Sequence, residues 1–485
     1  MRIPRSVAPL LAATTLLTIT AAADPAAPSG RILIEYAPGA GPALYDVVLA
    51  EGGQIHHQFD RIGALAVTID ERAAERLAHH PGVLSMETDP RRYLAAKPLP
   101  ADDTETPQIT PYGIEHVQAP EVWAAGFTGE GVTVCVIDTG LYVDHEDIDG
   151  VYAVGGVNQT PDSSWKFDGY GHGTHVSGTI SAADNDVGVI GVSPGKVDLF
   201  TVKIFGDDGA WTYTSDLIAA TYICAANNAD IINMSLSGNS GPRYVERAAF
   251  DELYEDFGIL SVAAASNDGT RLKAYPASYD SVISVAATDI NMEVAEFSNQ
   301  NNWVELSAPG VGVLSTVPFV SDSWLKVEDL VFDGEPMEYA AEGTVVGELA
   351  DGIQCLPADV AGEWAGKIVL CERGEVTFAE KVAKVMEGGG AAAVIYNNAE
   401  GPFSGTLGEE GDWIPALSLS QEDGQSALGY LGTEATAQNM IFEGSGYEAW
   451  GGTSMATPHV AGVAALLWSA NPKWTNVQIR EAMAA

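Results

Sequence analysis

From Gly113 onward the chain repeats one pattern, a short apolar run followed by a helical stretch, and few architectures accept it. The runs are residues 132–137, 199–204, 230–234, 259–264 and 281–287, with helices expected from Gly173, Ser215 and Arg243. Strands this apolar must be covered on both sides, and the alternating helices supply the covers. An α/β fold is therefore expected, a parallel sheet with helices on both faces. Such sheets gather their reacting groups at the carboxyl ends of the strands, and Asp138 leaves its strand there.

The pattern is different on either side of this region. Residues 31–93 read as strand, helix, two strands, helix, strand, an α+β arrangement. Asp70 is the expected N-cap of a helix through Ala78, with Glu71 in its first turn, and Pro81-Gly82 ends it before Val83. The segment 98–110 is acidic and proline-rich, and reads as an extended, exposed linker. Residues 319–444 break the alternation with strands expected over 366–374, 391–398 and 414–419 and a helix over 377–387. The run Gly388-Gly389-Gly390 reads as a helix stop before a strand. A phosphate loop would need Lys-Ser/Thr after it, and none follows.

Three short segments name a reaction. Asp138 stands in Asp138-Thr139-Gly140. His172 stands in Gly171-His172-Gly173-Thr174-His175-Val176-Ser177-Gly178. Ser454 stands in Gly451-Gly452-Thr453-Ser454-Met455-Ala456-Thr457-Pro458-His459. A serine hydroxyl becomes a nucleophile when an imidazole takes its proton and a buried carboxylate orients the imidazole. Plainer readings compete. His172 and His175 could face one metal on a helix, but the intervening glutamate and third ligand of a zinc site are missing. Ser454 could be a simple N-cap, yet a serine at a helix start also has N–H groups and a positive dipole end beside it for an oxyanion. The G-x-S-x-G elbow of α/β-hydrolases is absent, which disfavours an esterase of that fold.

In type and order these segments resemble the subtilisin-like serine proteases (subtilases, peptidase S8). The resemblance implies a serine endopeptidase with Asp138, His172 and Ser454 as catalytic triad, and His175 and His459 as packed neighbours. It implies Asn267, in Ala264-Ala265-Ser266-Asn267-Asp268-Gly269, as second oxyanion donor. Ser235, Leu236 and Ser237 would bind the extended substrate backbone by β-augmentation. Ala264 and Ala265 would line a roomy apolar pocket for the residue before the scissile bond, with no acidic residue visible to impose a basic preference. Structural calcium is the implied cofactor, held by the side chains of Gln108, Asp147 and Asn185 and the carbonyls of Ala183, Val187 and Val189, an all-oxygen set that suits a hard cation. An Asn/Asp/Gly turn without an ion is the alternative.

The same resemblance orders the chain: signal peptide 1–23, inhibitor-type propeptide 24–106, a catalytic domain in two pieces, 107–318 and 445–485, and a β-rich protease-associated (PA) domain inserted at 319–444. The propeptide would be removed by self-cleavage between Tyr93 and Pro107 and would inhibit the enzyme. Residues 480–485 are expected in a helix, ahead of a helix end and strand that members of the family usually carry.

Bulk composition sets the setting. With 46% apolar and 18% charged residues the 485-residue chain is ordinary for a globular protein of about three domains. Its balance of 23 basic against 66 acidic residues leaves −43, which repels nucleic acid and anionic lipid and favours cations and high salt. Arg2 and Arg5 ahead of an apolar stretch and Ala21-Ala22-Ala23 read as an export signal. That stretch is short for a membrane span and no later segment reaches the required apolar length, so a secreted monomer acting on protein or peptide substrates is expected. Four cysteines allow three disulfide pairings. Cys355 and Cys371 are close enough to pair, leaving Cys135 with Cys224, while free buried thiols are the alternative. The competing function is a catalytically silent protein that presents the PA domain to a partner.

Overall fold

The computed structural model describes residues 31–95, 97–98, 108–148, 153–160, 164–207, 209–241, 244–319, 321–328, 330–356, 364–374, 376–399, 403, 405–408, 411–440 and 446–485. The expected export signal and most of the expected linker lie outside them. The described chain forms two compact units, one ending at Thr88 and one starting at Asp89.

The first unit is a four-stranded antiparallel sheet in the order Gln54–Phe59, Ala64–Thr68, Arg31–Tyr36, Val83–Thr88. Two helices, Gly41–Ala50 and Glu71–Ala78, join these strands. Leu44 and Val48 from one helix and Ala73 and Leu77 from the other pack with Ile34, Leu65 and Val67. Asp70 caps the second helix, its Oδ1 accepting from Ala73 N at 2.9 Å.

In the second unit, seven parallel strands run Val304–Pro309, Val282–Thr288, Leu260–Ala264, Ile231–Met234, Thr133–Asp138, Asp198–Lys203, Ala153–Asn158. Side chains of strand Thr133–Asp138 alternate between two cores. Val134 and Val136 join Val176, Ile180, Met455 and Ala461 on one face. Cys135 and Ile137 join Leu217, Phe250 and Leu253 on the other. Helices His172–Ser181 and Thr453–Ala470 thus cover one face, and Thr214–Ala226 and Val245–Glu255 cover its opposite. The two edge strands, Ala153–Asn158 and Val304–Pro309, go beyond what the sequence pattern predicts.

Residues 323–439 contain an eight-stranded mixed sheet that closes on itself, because Ser323–Val327 pairs both with Glu434–Asn439 and with Leu330–Glu338. Its parallel centre, Gly343–Asp351, Ile368–Glu372, Ala392–Tyr396 and Ala416–Leu419, is flanked by helix Phe378–Glu387, started by a capping box between Thr377 and Glu380. Disulfides join Cys135 to Cys224 and Cys355 to Cys371. Among the described residues no helix is long and apolar enough to cross a membrane.

Candidate active site

Asp138 is the last residue of strand Thr133–Asp138, and His172 is the first of helix His172–Ser181. His172 Nδ1 lies 2.7 Å from Asp138 Oδ1, and both side chains are fully buried. Two glycines permit the approach. A Cβ on Gly173 would lie 2.2 Å from the Gly140 carbonyl oxygen, and one on Gly140 would lie 2.4 Å from that of Phe167. The helix start is held by buried Asp168, which accepts from the backbone N–H of Gly171 and of Thr174. The Asp138-Thr139-Gly140 turn is held by buried Lys203, whose ammonium donates to the Thr139 carbonyl and, at 2.7 Å, to Asp207. Neither Asp168 nor Lys203 was singled out by sequence, since each lies outside the recognisable segments.

Ser454 lies in the first turn of helix Thr453–Ala470. Pro458 has no N–H to give the carbonyl four residues back, which is that of Ser454. Ser235 Oγ donates to that carbonyl instead, at 2.8 Å. The Ser454 hydroxyl donates to the Ser235 carbonyl at 2.7 Å, so it is turned away from the imidazole, and buried His172 Nε2 has no hydrogen-bond partner. The structure therefore brings Asp138 and His172 into contact and leaves the serine–histidine bond unmade.

A carbonyl of the chain itself occupies the space beside Ser454. Ala95 O accepts from Asn267 Nδ2 at 2.6 Å and from Ser454 N at 3.1 Å. Asn267 is fixed in turn, its Oδ1 accepting from Thr453 N and Oγ1 at 2.9 Å. Residues Arg91–Leu94, just upstream, form a strand between two others. Leu94 and Tyr93 pair antiparallel with Leu236 and Ser237, Arg92 and Arg91 pair with Thr212 and Tyr213, and Ala95 N donates to Ser235 O. Ala264 and Ala265 are buried where the strand before Asn267 ends. At the far end of this added strand Arg92 is fully buried against Glu246, an acidic residue the sequence did not mark.

His175 is packed as expected. Its Nε2 lies 3.0 Å from Val313 O and 3.1 Å from Glu448 O, its ring stacks on Trp450, and burial holds its pKa down to about 3. His459, bonded from Nδ1 to Met455 O, is held to about 4 by burial.

The expected calcium ligands converge in part. Gln108 Nε2 lies 2.6 Å from Ala183 O, 3.2 Å from Asn185 Oδ1 and 3.1 Å from Val189 O. Asp147 Oδ2 accepts from Val189 N, while its buried Oδ1 has no partner, and burial pushes its pKa up to about 6. Gly188 keeps this space clear, for a Cβ there would meet Asp147 Oδ2 at 2.4 Å. These three oxygens accept from the Gln108 amide nitrogen; with that amide turned to present Oε1, they and the unpartnered Asp147 oxygen would suit a hard cation. Val187 contributes an N–H to Asn185 Oδ1, and its carbonyl is not among the oxygens around Gln108.

The profile of the Subtilase family matches residues 129–327 and 386–485, and that of the PA domain matches 341–427. Where the two overlap, the fold sides with the PA domain, because Ala392–Tyr396 and Ala416–Leu419 lie inside the closed eight-stranded sheet. Subtilisin amylosacchariticus of Bacillus subtilis subsp. amylosacchariticus is 37% identical over 278 residues, 56% of this chain and 68% of that protein. Subtilisin DY of Bacillus licheniformis is 42% identical over 215 residues, covering 44% and 76%. Alkaline elastase YaB of Bacillus sp. (strain YaB) is 39% identical over 263 residues, covering 54% and 64%. The chain belongs to the subtilase family, with a PA domain inserted. It is a serine endopeptidase of the subtilisin kind.

Proposed function

We propose that the chain is made as a secreted zymogen which cuts itself after Ala95, and that the freed enzyme hydrolyses proteins through an acyl-enzyme on Ser454. The observation that carries this reading is the Ala95 carbonyl, held by both Asn267 Nδ2 and Ser454 N as an acyl donor would be. The hydroxyl of Ser454 turns from Ser235 O toward His172 and attacks the Ala95 carbonyl carbon as His172 Nε2 takes its proton. Asp138 Oδ1 accepts from Nδ1–H, keeps the reactive tautomer and stabilises the imidazolium. Charge arriving on the Ala95 oxygen meets the two N–H donors already aimed at it. His172 then protonates the departing amine of residue 96, and water resolves the ester by the reverse sequence. His175 stays neutral beside this charge. Main-chain pairing with residues 235–237 places the acyl side, for foreign substrates as for residues 91–95.

Secretion is supported by the export-signal pattern and by two disulfides, which persist in oxidising compartments. Bound calcium would be held by Gln108, Asp147, Ala183, Asn185 and Val189, and would neutralise the orphaned Asp147 oxygen. Its contribution is to stability. Residues 24–95 would assist folding and then stay as a product inhibitor, as suits an enzyme guarded by a high unfolding barrier. Mass spectrometry of the maturing protein tests the reading. The released prosegment should end at Ala95, and a Ser454→Ala precursor should accumulate uncut. Normal processing of that variant in a pure preparation, or a first cut elsewhere, contradicts it.

A further inference from the structure

The added strand carries more information than its end. Arg92, three residues before Ala95, is fully buried, and its guanidinium meets an equally buried carboxylate. Nη2 donates to Glu246 Oε1 at 2.7 Å and to Oε2 at 2.6 Å, and Nε to Oε1 at 3.2 Å. Nη1 donates to the carbonyls of Ser240 and Arg91, both at 3.0 Å. The Tyr279 hydroxyl gives Glu246 Oε2 one more bond, at 2.6 Å. Gly238 makes room, since a Cβ there would stand 2.8 Å from Arg92 Nη1. Next to it, the Arg91 guanidinium lies 3.8 Å from the Trp211 ring centroid.

We infer that Glu246 is the floor of a substrate pocket that selects arginine at the fourth position before the scissile bond. This rests on the reading of Ala95 as the acyl residue. The pocket is built for that one side chain. Its carboxylate accepts in the two-pronged geometry of a guanidinium, and a carbonyl at its rim takes the remaining edge. An apolar side chain in the same place would leave Glu246 buried and unpaired, so discrimination comes from the wrong residue as much as from the right one. Lysine supplies charge without the fork and should fall between. The substrate class is then extended protein segments carrying arginine three residues ahead of a small residue, of which Arg92-Tyr93-Leu94-Ala95 is the internal example.

The test is hydrolysis of four acylated peptides, Arg-, Lys-, Leu- and Glu-Tyr-Leu-Ala-p-nitroanilide, by the mature enzyme, with active sites counted by fluorophosphonate titration. The arginine peptide should exceed the leucine peptide in kcat/KM by on the order of 10²-fold, with lysine between and glutamate lowest. Glu246→Gln should shrink the arginine preference to within about threefold. Equal rates on the arginine and leucine peptides, or an arginine preference that survives Glu246→Gln, overturns the pocket. The wild-type comparison stands even where the variant fails to fold. Absence of cleavage after alanine in every peptide would instead overturn the reading of Ala95, and the pocket with it.

Discussion

Asn267 is held from both sides, by Thr453 through its carbonyl oxygen and by Ala95 through its amide nitrogen, so it is oriented before any charge develops. Truncating it should slow turnover more than binding. Asn267→Ala is expected to lower kcat about 10²–10³-fold on a peptide substrate with little change in KM; loss of affinity at unchanged kcat would remove it from the oxyanion role. Buried imidazoles give a second prediction. His145 and His459 are held to about 4 and His175 to about 3, chiefly by burial. Below the ordinary value near 6.5 the unfolded chain therefore takes up protons that the folded chain refuses. Their contribution is complete above that value and fades as pH falls toward 4, by roughly 2 kcal/mol per histidine at pH 5. Urea midpoints of the Ser454→Ala protein, with calcium saturating so that Asp147 stays ionised, should fall from pH 7 to pH 5, and a flat profile contradicts this. At this scale the sequence was most legible where chemistry leaves a local signature. Asp138, His172 and Ser454 each sit among glycines and small residues required by close backbone approach. Glu246 left no such mark: an acid in a helix's first turn is what the dipole favours anyway, and only its meeting with Arg92, 154 positions away, distinguishes it.

Among the elements, the five strands read from sequence are the interior ones, mostly apolar and buried almost throughout because both faces are covered. The two missed strands are edges. Val304–Pro309 alternates between exposed and half-buried residues over its first half and ends in proline. Ala153–Asn158 carries Gly155 and Gly156, poor strand formers, because a Cβ on Gly156 would meet the Trp165 ring at 2.3 Å. The same scale holds the loop proposed to bind calcium, which links the bridge Ile109–Val189 to Asp147 through the Val189 N–H. Removing calcium with a chelator should shorten the half-life at elevated temperature. Asp147→Ala should reproduce that loss and abolish the protection that added calcium gives the wild type. A site occupied at 100 times its dissociation constant stabilises by about 2.7 kcal/mol. Equal half-lives with and without chelator would strike the ion from the account.

At the level of the whole molecule, the alternation of strand and helix announced the sheet, and its interruption after Thr316 announced an insertion. The point of insertion has a structural reason that the sequence hides. Thr316 and Tyr447 are paired partners in the antiparallel strands Val313–Thr316 and Tyr447–Gly451, so entry and exit lie side by side. Phe319 stacks on His145 at 4.9 Å and belongs with the catalytic part, one reason the boundary cannot be read to the residue. A domain attached this way should be separable. Replacing residues 320–444 with a short glycine–serine link should preserve hydrolysis of small peptides, and loss of folding would show the inserted sheet to be integral. Catalysis on this reading depends on Ser454 as nucleophile and His172 as its base. This dependence is tested most directly by treating the mature enzyme with a fluorophosphonate and mapping the adduct by peptide mass spectrometry. Ser454 should be modified stoichiometrically, and orders of magnitude more slowly in His172→Ala. An adduct on another residue, or undiminished labelling of Ser454 without His172, would contradict it.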